Sequence, residues 1–190
     1  MSTKDKIYNY NESFLNKEKA DHLYRQCILL PFEQRTFKIF GKEIPNPRLE
    51  VFYGPKDLSY SYSNQRIEVL EMPEFIVRLK EEIEGSTSTK FNSCLINLYR
   101  NGKDSNGWHS DNEKELGPNP IIASVSLGAE RKFQIRRKEK GSEIHNLILN
   151  HGSLLLMEKG MQETHLHCLP KSLKIDRPRI NLTFRKLMKI

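Results

Sequence analysis

From Phe91 onward the chain is a run of short strand-length segments with no long helix between them: Phe91 to Tyr99, Ile121 to Leu127, Arg131 to Arg137, His145 to Leu149, Ser153 to Met157 and Asn181 to Leu187. Turn pairs such as Asn101-Gly102, Gly117-Pro118 and Gly141-Ser142 separate several of them. Such a succession folds as a sandwich or a barrel. Ahead of it, Asn16 to Leu30 sets Ala20, Leu23, Tyr24 and Cys27 at helical spacing and meets Pro31, and Pro73 to Glu84 sets Ile76, Leu79 and Ile83 on one face with Gly85 as a stop. Both read as amphipathic helices packed on a sheet. Two further strands are expected at Thr36 to Phe40 and Arg48 to Phe52. The fold class is therefore mainly β with flanking helices.

At 190 residues, 37% hydrophobic and 29% charged, the chain suits a single domain with a real core. Its longest apolar stretches, such as Cys27-Ile-Leu-Leu30 and Leu154-Leu-Leu-Met157, are too short to cross a bilayer, so a soluble cytoplasmic protein with no membrane partner is expected. Cys27, Cys94 and Cys168 lack the spacing of a zinc or redox site and read as free thiols. A formal charge of +7 favours a polyanionic partner, although charge alone is weak evidence.

Two patterns carry chemistry. In an extended segment, positions two apart share a side, so His109 and Asp111 of His109-Ser110-Asp111 can reach one ion while Ser110 points away. Two histidines and a carboxylate can occupy one face of an octahedral ferrous ion and leave three positions open. His145, His151, His165 and His167 are all candidates for the third ligand, and periodicity does not separate the last two. Near the end of the chain, Arg179, Asn181, Thr183 and Arg185 alternate with Ile180, Leu182 and Phe184, which buries an apolar face and gathers four polar groups on the other. Either that polar face is solvated or it forms an inward dicarboxylate receptor, since guanidinium pairs with carboxylate through charge-assisted hydrogen bonds. Asn97 and Tyr99 repeat the pattern on another strand.

Together with Phe37-Lys-Ile-Phe-Gly-Lys42, Pro47-Arg48, Tyr60-Ser-Tyr-Ser63, Ile122-Ala-Ser-Val-Ser126 and His151-Gly-Ser-Leu-Leu155, these motifs occur in an order that resembles the AlkB family of Fe(II)- and 2-oxoglutarate-dependent nucleic-acid dealkylases. The resemblance runs from about Thr36 to the end. It implies a double-stranded β-helix, or jelly roll, at 91–190, with 1–90 supplying helices and a nucleotide-recognition lid. It selects His167, in His167-Cys-Leu-Pro170, as the third metal ligand, and assigns Asn97, Tyr99, Arg179, Asn181 and Arg185 to 2-oxoglutarate. His165, where many relatives carry an aromatic residue, departs from the pattern.

The same resemblance implies oxidative demethylation of 1-methyladenine and 3-methylcytosine in DNA, with O2 as second cosubstrate and formaldehyde and succinate as products. Glu113 would face the exocyclic amino group of the damaged base, and an acid there favours a cationic lesion over a neutral base. A base flipped from duplex DNA would lie between Tyr62 and His109, with Tyr60 as the competing stacking residue and Phe40 as the wedge filling the gap. Arg131, Lys132, Arg136, Arg137, Lys138 and Lys140 form a basic cluster suited to phosphates, to which Arg48 and Lys42 add. A monomer is expected, cytoplasmic or nuclear according to its source. Single-stranded DNA or RNA as substrate, a zinc hydrolase using the same ligands, and a non-catalytic nucleic-acid binder are the competing readings.

Overall fold

The computed structural model describes residues 7–39, 41–55, 60–62, 65–67 and 69–188. The strands are β1 (Tyr8–Asn11), β2 (Thr36–Ile39), β3 (Lys42–Pro45), β4 (Leu49–Tyr53), β5 (Tyr60–Tyr62), β6 (Gln65–Ile67), β7 (Ser93–Tyr99), β8 (Asn106–His109), β9 (Ile122–Gly128), β10 (Arg131–Arg137), β11 (His145–Leu149), β12 (Ser153–Met157), β13 (His165–Leu169) and β14 (Arg179–Arg185). Helices α1 (Lys17–Cys27), α2 (Glu74–Thr87) and the single turn α3 (Met161–Thr164) complete the chain, with a 3-10 turn at Lys114–Leu116.

The strands from β7 to β14 divide between two sheets. One has the order β1-β12-β9-β14-β7-β4 and the other β11-β10-β13-β8, and every ladder in them is antiparallel. The chain changes sheet between most consecutive strands, which is the jelly-roll path. Side chains of both sheets line one cavity and the apolar cluster around it, including Phe52, Leu95, Phe133, Ile135, Leu155, Met157 and Leu169. The outer face of the larger sheet is covered by α1 and α2, whose Ala20, Leu23, Cys27, Ile76, Leu79 and Ile83 join Val51, Ile96, Val125, Ile180, Leu182 and Phe184 in a second core. Each fully buried aliphatic side chain there contributes about 1.5–3 kcal/mol.

Both helices form where the apolar spacing puts them, and their ends differ from the sequence expectation for identifiable reasons. Asn16 caps α1, its Oδ1 accepting the Lys19 N–H at 2.9 Å. The helix stops at Cys27, three residues short of Leu30, where the N–H groups of Ile28 and Leu29 turn back onto Tyr24 and Gln26. α2 does not stop at Gly85. A Cβ added there would meet nothing within 4 Å, so this glycine rides the exposed side of a helix that continues to Thr87. Ser88, in the left-handed region at φ 53°, ends it. Gly85→Ala is therefore expected to stabilise the protein by about 0.5–1 kcal/mol, read as a raised midpoint in urea unfolding; an unchanged or lowered midpoint would contradict the open helical site.

Several elements were not legible beforehand. The polar segment Tyr8–Asn11 forms the edge strand beside β12, β3 pairs with the expected strand β2, and β5 pairs with β6, giving two small hairpins. Phe40 lies outside the described residues. The three cysteines are buried free thiols, as their spacing implied, and no helix among the described residues is long and apolar enough to cross a membrane.

Candidate metal and cosubstrate site

His109 ends β8 and His167 lies directly across from it on β13. Their rings meet edge to face with centroids 4.2 Å apart. Asp111 stands just past the end of β8, its Oδ1 3.5 Å from His109 Nε2 and 3.9 Å from His167 Nε2. Among the described residues these three form the one group of such side chains whose ligand atoms lie within 4.8 Å of one another. His109 and Asp111 do meet, but not along one strand: β8 stops at His109, so Asp111 reaches the site from a loop, and Glu113 stands at the start of the 3-10 turn at Lys114–Leu116.

The ionisation states suit a divalent cation. Burial is the largest influence on His167 and, with the nearby His109, drives its pKa down to about 3, so the ring is neutral and keeps a lone pair. His109 Nδ1 lies 2.8 Å from the Gly107 carbonyl; a proton on Nδ1 donates there and leaves Nε2 as the donor atom toward the site. For Asp111, burial opposes ionisation but Arg185 and the two histidines outweigh it, holding the carboxyl well below the usual carboxylate range. Its Oδ2 accepts from Arg185 Nη2 at 2.6 Å. Two imidazoles and one carboxylate at this spacing match the donor set of a facial triad.

The alternation of β14 is resolved in favour of the inward face. Arg179, Asn181, Thr183 and Arg185 all line the cavity, and so do Asn97 and Tyr99 across the ladder that pairs Arg179 with Tyr99 and Asn181 with Asn97. Ile180, Leu182 and Phe184 enter the helix-facing core. Arg179 is 2% exposed, and its Nη2 donates to two neutral oxygens, Ser126 Oγ at 2.8 Å and Asn181 Oδ1 at 2.7 Å. Burial brings its pKa down to about 10, still charged at neutral pH. Its Cζ lies 5.3 Å from the Tyr99 ring centre. Among the described residues the hydrogen-bond partners of this buried guanidinium at the cavity wall are neutral oxygens, an arrangement that can receive an anion. Ser124, which donates to Asn181 Oδ1 at 2.9 Å, also lines the cavity, and Ser126 backs Arg179 behind it. They alternate in Ile122-Ala-Ser-Val-Ser126, a signal the sequence carried but to which no role was attached.

A family model described as the 2OG-Fe(II) oxygenase superfamily matches residues 8–185. "DNA oxidative demethylase ALKBH2" of Mus musculus is 34% identical over 186 residues, covering 90% of this chain and 77% of that protein. The chain belongs to the AlkB family. "Alpha-ketoglutarate-dependent dioxygenase alkB homolog 3" is 42% identical in both Bos taurus and Homo sapiens, and in each case this AlkB-family chain spans 63% of the relative's length. A solved structure titled "The structure of OsALKBH1" superposes with a TM-score of 0.64 at 18% identity, covering 95% of this chain and 96% of that one, and shares its fold.

Within this AlkB-family site, two expected phosphate contacts are corrected. Arg131 is 1% exposed, and its guanidinium donates to the carbonyls of Asn101, Asp104 and Pro170 at 3.2, 2.9 and 2.7 Å. It ties loops together and cannot meet a nucleic-acid backbone. Arg48 is 4% exposed; it forms an ion pair with Glu50 at 2.8 Å and donates to Asn97 Oδ1 at 2.9 Å and Asn106 Oδ1 at 3.1 Å. Its work is to hold the cavity wall. Lys132, Arg137, Lys138 and Lys140 are exposed, and the half-buried Arg136 stacks on Trp108 with Cζ 4.5 Å from the ring centre. Glu113 is half-buried. Tyr60 and Tyr62 share the short β5 strand, and their side chains lie outside the described set. The other histidines weighed as ligands lie outside the triad: His151 accepts the Gly128 N–H at 2.9 Å and meets Asp21, His165 lies 2.7 Å from Thr164 Oγ1, and His145 is exposed.

Proposed function

We propose that the chain is an Fe(II)- and 2-oxoglutarate-dependent dioxygenase that removes N-linked methyl groups from bases in DNA, with 1-methyladenine and 3-methylcytosine as its targets. The observation that carries this reading is the junction of a His-Asp-His triad with a cavity walled by two buried arginines. His109, Asp111 and His167 would hold the iron, which supplies the activation of O2 at the expense of 2-oxoglutarate.

The protein's own share is binding and orientation. Arg179 and Tyr99 receive the remote carboxylate of the oxo-acid, Asn181 and Asn97 set the cavity wall, and Arg185 lies beside Asp111 at the end where the second carboxylate enters. Because Arg179 is almost fully buried, its charge is poorly screened and strongly favours a dianion over a neutral acid. No side chain acts as nucleophile. A zinc hydrolase would need the triad but would leave the arginine-walled cavity without a purpose.

For the substrate, the exposed lysines and arginines from Lys132 to Lys140 would contact phosphates and fix position without reading sequence. The base would enter from the side of His109, whose ring is partly exposed, with Tyr60 or Tyr62 stacking on it and the N-terminal hairpins forming the recognition lid. Glu113 would read the lesion's positive charge. Glu113→Gln is accordingly expected to lower turnover of 1-methyladenine more than it lowers oligonucleotide affinity, measured by steady-state kinetics against a binding titration; equal losses in both would remove Glu113 from base recognition.

Mass spectrometry tests the whole reading. Methylated oligonucleotides, as duplex DNA, single-stranded DNA and RNA, are incubated with Fe(II), 2-oxoglutarate and O2. Loss of one methyl mass only when all components are present is the expected outcome, and the best-processed oligonucleotide identifies the substrate. Methyl loss without 2-oxoglutarate, or none under any condition, would reject it.

A further inference from the structure

We infer that Gln162 is the positioning residue of the metal site: its carboxamide fixes the backbone that carries Asp111 and thereby sets where the carboxylate ligand stands relative to the two histidines. The inference rests on the triad reading above. It begins from a gap in the ladder. β8 and β13 pair at His109 with His167 and again at Asn106 with Leu169, with a register shift between them. β8 ends at His109. The backbone two residues later, at Asp111, is buried yet held by no strand neighbour, and a buried N–H without an acceptor costs about as much as a lost hydrogen bond.

Gln162 supplies that acceptor. It is 1% exposed, and its Oε1 lies 2.9 Å from the Asp111 nitrogen. The amide can be oriented only this way, because turning it over would set an N–H donor against an N–H donor. Its Nε2 then points at the Met157 thioether, 3.4 Å away, and its own carbonyl accepts from Lys138 Nζ at 2.9 Å. Asp111 is thus gripped at two points, by Arg185 on the carboxylate and by Gln162 on the backbone. The two grips are not equivalent. Arg185 lines the cosubstrate cavity, whereas Gln162 stands outside it, on the single turn α3 that leads directly into β13 and His167.

One short element therefore carries the amide that places Asp111 and, five residues on, the distal histidine. The α3 turn couples the two parts of the triad without touching cation or cosubstrate.

Calorimetric titration of the whole chain with Mn(II) reads this directly, with folding followed by circular dichroism. Gln162→Met keeps the shape and removes the acceptor, and is expected to weaken Mn(II) binding by about 10- to 100-fold, the range typical of residues that orient metal ligands. Gln162→Glu keeps an oxygen for the same N–H and adds charge that favours a cation, so it should restore most of that loss. Native Mn(II) affinity in Gln162→Met, or a Gln162→Glu variant as weak as Gln162→Met, would overturn the inference. Should Gln162→Met fail to fold, Gln162→Asn, whose shorter side chain retracts the acceptor, takes its place with the same expected loss and the same overturning result. Asp111→Ala separates the two levels. If it too binds Mn(II) natively, the triad reading falls and this inference with it; if it loses Mn(II) while the Gln162 variants do not, only the positioning role falls.

Discussion

His109→Ala and Asp111→Ala are each expected to lower release of formaldehyde from a methylated oligonucleotide by more than about 100-fold, because residues one shell further out already cost about 10- to 100-fold in such sites. Oligonucleotide affinity should survive Asp111→Ala, since the basic surface from Lys132 to Lys140 is untouched, and should fall in His109→Ala only by the stacking of that ring on the base. The two variants differ in their cost to the fold. Asp111 is 3% exposed and bonded to Arg185, so its removal leaves a buried guanidinium without its counter-charge, a loss of about 3–5 kcal/mol where it has been measured for buried pairs. The side chain of His109 is 25% exposed and has no such dependent partner. His109→Ala should therefore lose turnover at nearly native thermal stability, whereas Asp111→Ala loses both. Turnover at the native rate in either variant would remove that residue from the metal site.

Arg185→Ala is the second large effect. The guanidinium lines the cavity and is the strongest influence holding the Asp111 carboxyl ionised. Its loss removes a receptor group for the oxo-acid and at the same time weakens the carboxylate as a ligand. The expected result is a rise in the KM for 2-oxoglutarate of at least about 10-fold, from loss of a charge-assisted pair of roughly 1.5–3 kcal/mol, with a fall in Mn(II) affinity beside it. Unchanged 2-oxoglutarate affinity would sink the clamp. Because Arg185 and Asp111 share one contact, the double variant should lose less stability than the two single changes added together.

The alternation of β14 was readable, because a strand with two environments writes them into odd and even positions, but whether its polar face met solvent or a cavity was not, since that depends on which sheet lies opposite. So were the helices, whose apolar faces recur at 3.6-residue spacing. The third ligand was not readable from periodicity: His165 and His167 share a side of β13, and what separates them is which one lies opposite His109, a matter of cross-strand register that one strand's sequence does not contain. Arg48 and Arg131 failed for a related reason. Arg131 stands between Glu130 and Lys132 and Arg48 has Glu50 two residues on, so each reads as surface. In space a set of loop carbonyls receives Arg131, and Asn97 and Asn106 join Glu50 around Arg48; apart from Glu50 those partners lie on other segments. Gln162 gave no signal because its acceptor role depends on where the Asp111 loop passes.

The double burial of β14 also limits how this chain can vary. A strand polar on both faces can slide by one residue at little cost; here a slip of one position would drive Arg179 and Arg185 into the helix-packed core and turn Ile180 and Leu182 toward the cavity. Folding and cosubstrate recognition therefore fail together along this segment. A copy of the protein that reaches its native shape has, by doing so, already proof-read the arginine lining of its cavity.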